Sequence, residues 1–267
     1  MTLPATDAAT ARKLDTFFAA FPAPSAPMLL LDYDGTLAPF RVDRFTARPW
    51  AGVREVLAAI QRQGRTRMVV ITGRPAAEIA PLLGLEPALE VWGLHGAEHL
   101  YPDGRRELEQ PSPPVQAALD DLRACLRRDS LGGLFEDKAN GAVMHWRGVP
   151  PVQAKLIEQR TRELFEPLAQ MDGLALLDFE AGIELRFGRN KGGAAREILR
   201  ATGTHGPVAV LGDDLTDEEA FRAVNEAGGA HLSVLVKPKL RETVADVWLR
   251  PPAQLKGFLK RWLAAGE

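Results

Sequence analysis

Residues 28–37 read Met28-Leu29-Leu30-Leu31-Asp32-Tyr33-Asp34-Gly35-Thr36-Leu37. Four consecutive apolar residues are typical of a strand that is covered on both faces of its sheet. In open sheets of this kind ligands bind outside the carboxyl ends of the strands, and Asp32 stands at such an end. Asp34 can point into the same crevice if the chain turns, and Gly35 lets the backbone approach a ligand closely. The alternative is a surface turn, because Asp and Gly are common turn residues.

Two further apolar runs, 68–71 and 208–211, also end in small or polar residues. Helical patterns lie between such runs. Apolar residues recur at helical spacing over 53–60, and Gly64 follows as a stop signal. Alternation of strand and helix predicts a parallel sheet with helices on both faces. We therefore expect an α/β fold with a Rossmann-like, doubly wound core.

The middle of the chain has a different pattern. Apolar stripes over 115–126 and 157–168 predict helices. By contrast, 142–147 and 182–186 alternate apolar and polar residues, as half-buried antiparallel strands do. This mixture predicts an α+β insertion in the α/β core. The expected division is a core from residues 1–105 and 188–267, and an inserted domain from residues 106–187.

The composition is that of an ordinary globular protein, with 46 % apolar and 25 % charged residues and a net charge of −2. Such a balance implies no strong attraction to nucleic acid or to a membrane. No run is apolar for the roughly 20 residues that a membrane span needs, and residues 1–15 lack the apolar stretch of a secretion signal. The single cysteine, Cys125, fits a reducing compartment. We therefore expect a cytoplasmic monomer that binds neither nucleic acid nor membrane.

The acidic residues indicate a metal site. Asp32 and Asp34 are close enough to repel each other, and a divalent cation such as Mg²⁺, which prefers hard oxygen ligands, would relieve that repulsion. Asp213 and Asp214 add carboxylates at the end of another predicted strand. The acidic run 212–218 could instead mark a helix N-terminus, where carboxylates are favourable. That explanation fits Asp213 poorly, because Asp213 stands at the strand end.

The same edge of the predicted sheet offers groups that could hold an anion. Thr72 follows the run 68–71 and supplies a hydroxyl and a backbone N–H. Lys191 opens a predicted helix, and an ammonium beside a helix N-terminus is a natural anion site. Taken alone, Lys191 would more often be a solvated surface lysine. Four such features at strand ends in one chain favour a shared site.

These motifs have a precedent as a set. In this order, Asp32-x-Asp34-Gly35-Thr36, Thr72, Lys191 and Gly212-Asp213-Asp214 resemble the four motifs of the haloacid dehalogenase (HAD) superfamily of phosphatases. The resemblance implies that Asp32 is a nucleophile that forms an aspartyl-phosphate, and that Asp34 is the general acid/base. It also implies that Thr72 and Lys191 hold the phosphoryl group.

The resemblance implies Mg²⁺ as the cofactor. Asp32, the backbone carbonyl of Asp34, and Asp213 would bind the ion, and Asp214 would support Lys191 or the metal. The physical chemistry agrees, because a cation lets an anionic carboxylate approach an anionic phosphate. A covalent intermediate divides the reaction into two steps.

Further segments resemble the trehalose-6-phosphate phosphatase family within that superfamily. They are Ile71-Thr72-Gly73-Arg74, Gly93-Leu94-His95-Gly96-Ala97-Glu98, Glu136-Asp137-Lys138, His145-Trp146-Arg147, Glu184-Leu185-Arg186, Asn190-Lys191-Gly192 and the run 212–218. The family has a cap domain at the place of this insertion, which closes over the disaccharide. A sugar phosphate is therefore the expected binding partner.

The same resemblance assigns substrate contacts. From the cap they are Glu136, Lys138, Arg147, Glu184 and Arg186, and from the core they are Arg74 and His95. Many charged and polar side chains suit a ligand with many hydroxyls. The alternative is that the charges lie on solvated strand faces, with little energetic value. His95 could equally be a structural histidine between glycines.

One departure from the family pattern and three rival functions stay open. Phe187 stands where the family commonly has a proline, after the arginine of the Glu-x-Arg element. The nearest rival substrate is another phosphorylated glycoside, such as sucrose phosphate or a glycosyl-glycerate phosphate. A rival of another class is an inactive sensor of sugar phosphate, which should have lost Asp32, Asp34 or Asp213. A receiver-like phosphoacceptor needs no inserted domain and fits less well.

Overall fold

The computed structural model describes residues 8–21, 26–41, 43–128, 132–179, 181–202 and 206–266. The chain divides into two compact units. The core unit consists of Met1–Leu108 and Asn190–Glu267, and the inserted unit is Glu109–Arg189. Within the described ranges, every helix is too short or too polar to cross a membrane. The roles expected of the two units, catalysis and substrate selection, stay predictions.

The elements follow one another along the chain with short connections. In the described residues the α-helices are α1 (Ala8–Phe18), α2 (Val53–Gln63), α3 (Ile79–Leu83), α4 (Pro113–Arg128), α5 (Pro151–Phe165), α6 (Lys191–Thr202), α7 (Glu218–Ala227) and α8 (Ala253–Ala265). The strands are β1 (Met28–Leu31), β2 (Arg67–Ile71), β3 (Glu90–Gly93), β4 (Glu98–Leu100), β5 (Arg106–Leu108), β6 (Phe135–Lys138), β7 (Gly141–His145), β8 (Leu174–Phe179), β9 (Gly182–Phe187), β10 (Val208–Gly212), β11 (His231–Val236) and β12 (Val247–Leu249).

The core unit is built on one large sheet in the order β12-β11-β10-β1-β2-β3-β4-β5. Strands β12 to β3 are parallel, and β4 and β5 are antiparallel to their neighbours. The chain leaves β1 toward β2 on one side, and β10 lies on the other side of β1. The strand order therefore reverses at β1, which is where open α/β sheets bind ligands. The predicted doubly wound parallel sheet is confirmed.

The sequence of β1 is continuously apolar because both faces of the strand are buried. Leu29 and Leu31 belong to a core on one face of the sheet that includes residues of α1, α2 and α8. Met28 and Leu30 belong to the core on the opposite face, with residues of α6 and α7. Helix α2 covers the predicted helical pattern and ends at Gly64, whose φ of 70° is left-handed and favours glycine. Both predictions, for the strand and for the helix, are confirmed.

The inserted unit has its own antiparallel sheet in the order β6-β7-β9-β8. One face of this sheet packs against α4 and α5 in a separate apolar core. The predicted stripe of α4 is buried there, and it consists of Val115, Leu119, Leu122 and Leu126. Met144 and Leu185 face the same core from the sheet. The α+β character predicted for this part of the chain is confirmed.

Phe187, the departure from the family pattern, has a structural explanation within this unit. Its ring is buried in the same apolar core and lies against Gly173, where an added Cβ would come within 2.5 Å of the ring. Its backbone N–H donates to the carbonyl oxygen of Asn140 at 2.7 Å, and the Asn140 side-chain amide donates back to the Phe187 carbonyl at 3.0 Å. Proline has no N–H and could not make the first bond.

The packing of α4 gives a test of the inserted unit. Leu122→Ala removes a buried side chain of its core, so we expect the free energy of unfolding to fall by about 2–5 kcal/mol. The matched control is Asp121→Ala, because Asp121 is the exposed neighbour on the same helix. We expect that change to stay within about 0.5 kcal/mol. Urea denaturation followed by circular dichroism measures both, and equal losses in the two variants would contradict this packing.

Candidate active site

The carboxyl ends of β1 and β10 bring three buried carboxylates together. Asp32 follows β1, and its backbone N–H donates to the Leu211 carbonyl at 2.9 Å, which ties the two strand ends to each other. Among the described residues, Asp32, Asp213 and Asp217 each offer a carboxylate oxygen within 4.8 Å of the other two. Asp32 and Asp213 therefore lie together at one edge of the sheet, as the sequence predicts.

Lys191 neutralises part of this acidic cluster. Its ammonium donates to Asp32 Oδ1 at 2.6 Å and to Asp217 Oδ1 at 2.7 Å, and all three side chains are nearly inaccessible to solvent. Burial lowers the pKa of Lys191, but the charges of Asp217 and Asp32 more than offset that effect. The pKa therefore lies above its ordinary value, and Lys191 stays a cation at the N-terminus of α6.

Asp217 is a site residue that the sequence motifs did not assign. One oxygen bonds Lys191, and the other accepts from the backbone N–H groups of Asp213 at 2.9 Å and Asp214 at 3.0 Å. A Cβ on Gly212 would lie 2.3 Å from Asp217 Cγ, so this packing requires glycine there. The signal in the sequence was an acid four residues after Asp213, which also fits an ordinary helix N-terminus. The structure has both features, because Asp214 and Asp217 form a capping box at the helical turn Leu215–Asp217 and the Asp217 carboxylate is also buried in the acidic cluster.

Gly35 lets the two acidic motifs meet. Its φ is +80°, and a Cβ there would lie 2.4 Å from Asp213 Cγ. The Asp213 carboxylate thus packs directly on the backbone of the predicted nucleophile turn. Burial raises the pKa of Asp213 to about 7, and the charges of Asp217 and Asp214 add to the rise. The pKa of Asp32 is also raised by burial, although Lys191 opposes the shift.

Asp34 and Arg74 form a bidentate ion pair. Arg74 donates from Nε to Asp34 Oδ2 at 2.5 Å and from its terminal nitrogen to Oδ1 at 2.6 Å. Arg74 also contacts Glu78 at 3.3 Å, and Glu78 is itself paired with Arg44. Arg74, expected to contact substrate, here holds the carboxylate of the expected general acid/base. Its role toward a substrate stays a prediction.

The segment 93–98 fixes the loop that carries Thr72. The backbone N–H of His95 donates to the Thr72 carbonyl at 2.8 Å, and that of Leu94 donates to the Arg74 carbonyl at 2.9 Å. The His95 ring packs so closely on Gly73 that a Cβ there would lie 2.6 Å from Nε2. His95 therefore stands beside the predicted phosphate loop, as one of its supports.

Cations from the segment after β11 were also missed. Lys237 Nζ lies 3.1 Å from the Asp213 carbonyl oxygen and 3.3 Å from Asp213 Oδ2. Arg241 donates to the Asp214 carbonyl at 2.6 Å and pairs with Glu218. Neither residue belongs to a motif quoted above, and lysine and arginine in a polar segment give no sequence signal. Lys237 and Arg241 are recognised only in the structure, where β11 lies beside β10.

In the inserted unit, the predicted contacts share one face of the sheet. Glu136, Val143 and Glu184 lie in register across β6, β7 and β9, on the face opposite α4 and α5. Lys138 Nζ contacts Glu184 Oε1 at 3.1 Å. Arg186 follows Glu184 on the same face, and both are buried.

Arg147 is placed differently from the other four. It is exposed in the turn after β7, outside the row of Glu136, Lys138, Glu184 and Arg186. The roles of all five toward a substrate stay predictions.

The residues fit a hard divalent cation. The clustered donors are carboxylate oxygens in a buried setting, which is the donor set that Mg²⁺ prefers. Asp32 and Asp213 stand directly at strand ends and suit the role of ligands. Each oxygen of Asp32 and each oxygen of Asp217 also accepts a hydrogen bond within the protein. The side chain of Asp214 accepts from the Thr216 N–H at 2.8 Å and from the Thr216 hydroxyl at 2.6 Å. The metal roles expected for Asp34 and Asp214 stay predictions.

Comparison with known proteins agrees with this geometry. Residues 30–247 match the family model described as trehalose-phosphatase. A curated relative, the trehalose-phosphate phosphatase of Mycobacterium marinum, is 30 % identical over 245 residues. That match covers 88 % of this chain and 61 % of the relative, so the chain spans about three fifths of the relative's length.

Solved structures match nearly the whole chain. The structure of Aspergillus fumigatus trehalose-6-phosphate phosphatase is 26 % identical with a TM-score of 0.70, and the match covers 98 % of this chain and 99 % of that one. A haloacid dehalogenase-like hydrolase from Bacillus subtilis is 17 % identical with a TM-score of 0.60, covering 87 % and 98 %. The second likeness concerns the fold alone, and it is the fold expected from the four motifs.

The buried state of Asp213 predicts a pH effect in metal-free protein. Its pKa in the folded protein is about 7, above the ordinary value of about 4. The folded state therefore binds this proton more tightly than the unfolded state, and the resulting stability is present below about pH 4 and lost as the pH rises through about 7. Asp213→Asn cannot titrate there.

Urea denaturation with a chelator, from pH 4 to 8, measures this effect. The free energy of unfolding of the wild type, minus that of Asp213→Asn, should fall across this range. A flat or rising difference would contradict the assigned environment of Asp213.

Proposed function

Because the chain belongs to the trehalose-phosphatase family, we propose that it is a Mg²⁺-dependent phosphatase that converts trehalose-6-phosphate to trehalose and phosphate. The observation that carries the proposal is the buried Asp32 carboxylate at the end of β1, bonded to Lys191 and within reach of Asp213. A surface turn or a plain helix cap would not need three buried carboxylates around a buried lysine. The proposal also places the reaction in the cytoplasm.

Asp32 is the nucleophile in this proposal. Its Oδ1 accepts from Lys191 at 2.6 Å and its Oδ2 from the Thr36 hydroxyl at 3.0 Å, so the carboxylate is fixed in orientation. An oxygen of Asp32 forms a bond to phosphorus while the bond from phosphorus to the sugar oxygen breaks. The product on the enzyme is an aspartyl-phosphate, and a water then releases inorganic phosphate from it.

Asp34 moves the protons of both steps. It donates a proton to the leaving sugar oxygen and later accepts one from the attacking water. In this structure both of its oxygens accept hydrogen bonds from Arg74. That arrangement suits the ionised carboxylate, which is the form that accepts a proton from water. Arg74 thus orients Asp34 for the second step.

Lys191 and Thr72 would hold the phosphoryl oxygens. The ammonium of Lys191 stays charged at the N-terminus of α6, a position that attracts anions. The Thr72 hydroxyl is buried on the loop that the segment 93–98 fixes. Asp32, Asp213 and the Asp34 backbone carbonyl would hold Mg²⁺, with Asp214 and Asp217 in support. When bound, Mg²⁺ supplies positive charge that lets two anions meet and stabilises the transferring group.

The inserted unit would select the sugar. The polar face with Glu136, Lys138, Glu184 and Arg186 offers both donors and acceptors to a ligand rich in hydroxyls. Buried charges there are costly unless they have partners, and a sugar phosphate would supply additional ones. The rival substrates are sucrose phosphate and glycosyl-glycerate phosphates. The rival of another class, an inactive sensor, is disfavoured because Asp32, Asp34 and Asp213 are all present.

A phosphate-release panel tests the proposed reaction. With Mg²⁺, we expect the highest kcat/KM on trehalose-6-phosphate and much lower values on glucose-6-phosphate and sucrose phosphate. A chelator should stop the reaction, and added Mg²⁺ should restore it. Asp32→Asn should remove turnover and retain the fold by circular dichroism, because an amide cannot attack phosphorus. Preference for sucrose phosphate would reject the substrate, and wild-type activity in Asp32→Asn would reject the nucleophile.

The role of the inserted unit has its own test. Glu184→Ala removes a charged partner of a bound hydroxyl or of Lys138, so kcat/KM on trehalose-6-phosphate should fall by roughly 10- to 150-fold. Hydrolysis of a small aryl phosphate should change much less, because that substrate has no sugar to reach these residues. The matched control is Glu163→Ala, which removes the same charge from α5 on the other side of the sheet. Equal losses on both substrates would mean that Glu184 supports folding or general catalysis, and would reject its role in specificity.

A further inference from the structure

Lys237 extends from the end of a neighbouring strand toward the acidic site. It directly follows β11, the strand beside β10. Its backbone is fixed on both sides, because its N–H donates to the Leu249 carbonyl at 3.0 Å and its carbonyl accepts from Trp248 Nε1 at 2.7 Å. Its ammonium reaches the carbonyl oxygen and Oδ2 of Asp213. The lysine is therefore built into this edge of the sheet and aimed at one carboxylate.

The cations of the site are divided among the carboxylates. Lys191 bonds Asp32 and Asp217, whereas Lys237 bonds Asp213. The Asp213 side chain is only 4 % exposed, and the side chain of Lys237 is 33 % exposed. A carboxylate buried among other carboxylates needs a cation close by. Lys237 supplies that cation at Asp213.

We propose that Lys237 is the counter-ion of Asp213 in the metal-free protein and that it sets how tightly the site holds Mg²⁺. This inference rests on the proposed function, in which Asp213 is a metal ligand. The ammonium lies 3.3 Å from Oδ2 of Asp213, on the carboxylate that would hold the metal. Two cations beside one carboxylate repel each other. Lys237 thus stabilises the empty site and weakens Mg²⁺ binding at the same time.

Arg241 has a different part in the same segment. It donates to the backbone carbonyl of Asp214 and pairs with Glu218, and its contact with Asp213 is to the backbone carbonyl at 3.4 Å. It therefore holds the chain after β10 in place, and its contact with Asp213 is to the backbone alone. Of these two cations, only Lys237 would compete with a metal at the Asp213 carboxylate.

The test removes the charge of Lys237 and retains most of its stem. Lys237→Met should bind Mg²⁺ about two- to fivefold more tightly by isothermal titration calorimetry, the upper part of the range expected for the loss of one partly exposed ion pair. The midpoint of thermal unfolding in a chelator should fall. The matched control is Lys239→Met, the same charge change on an exposed lysine two residues along the chain. It should change Mg²⁺ affinity by less than about twofold.

Three results would overturn the inference. Unchanged or weaker Mg²⁺ binding in Lys237→Met would mean that the lysine positions Asp213 for the metal. Equal tightening in Lys239→Met would mean that only the overall surface charge acts. A wild type that neither binds Mg²⁺ nor releases phosphate would contradict both this inference and the proposed function. If the wild type is active and binds Mg²⁺, either of the first two results contradicts this inference alone. If Lys237→Met does not fold, Lys237→Gln, which retains a donor for the Asp213 carbonyl, takes its place.

Discussion

The burial of several carboxylates at one edge of a parallel sheet is the constraint on which the rest of the site depends. Asp32, Asp213 and Asp217 lie within a few ångströms of each other and out of contact with bulk water. Such a cluster is unfavourable unless cations and N–H donors compensate it. Lys191, Lys237 and two backbone N–H groups provide that compensation. The same charges that permit the cluster to fold would therefore define where the proposed metal and phosphate bind.

Close backbone approach is the second requirement, and it explains the glycines of the motifs. Gly35 and Gly212 each leave space for a carboxylate that a Cβ would displace, Asp213 in the first case and Asp217 in the second. The two acidic motifs can meet only because these side chains are missing. A similar contact holds the His95 ring on Gly73. The glycines of the motifs are therefore needed for close packing as well as for turns.

The inserted unit has an apolar core of its own. Its helices cover one face of a small sheet, which leaves the other face for charged residues such as Lys138 and Glu184. At the end of β9, the Phe187 N–H donates to the Asn140 carbonyl, and the Asn140 side-chain amide donates to the Phe187 carbonyl. Phe187 therefore supplies a backbone donor and a buried ring at a position where proline would supply no N–H. The catalytic motifs lie in the other unit, so this departure from the family pattern leaves them untouched.

By itself, the sequence determined the strands, the main helices and the nucleophile turn, because continuous apolar runs and helical spacing are local signals. It also indicated Asp32, Asp213 and Lys191, since strand ends in a parallel sheet converge on one edge. Only the tertiary structure decided that Arg74 pairs with Asp34, that Asp217 is an anchor, and that Lys237 reaches Asp213. Those contacts join residues up to 40 positions apart across neighbouring elements. Charge pairing of this kind depends on side-chain distance and burial, which no spacing along the chain encodes.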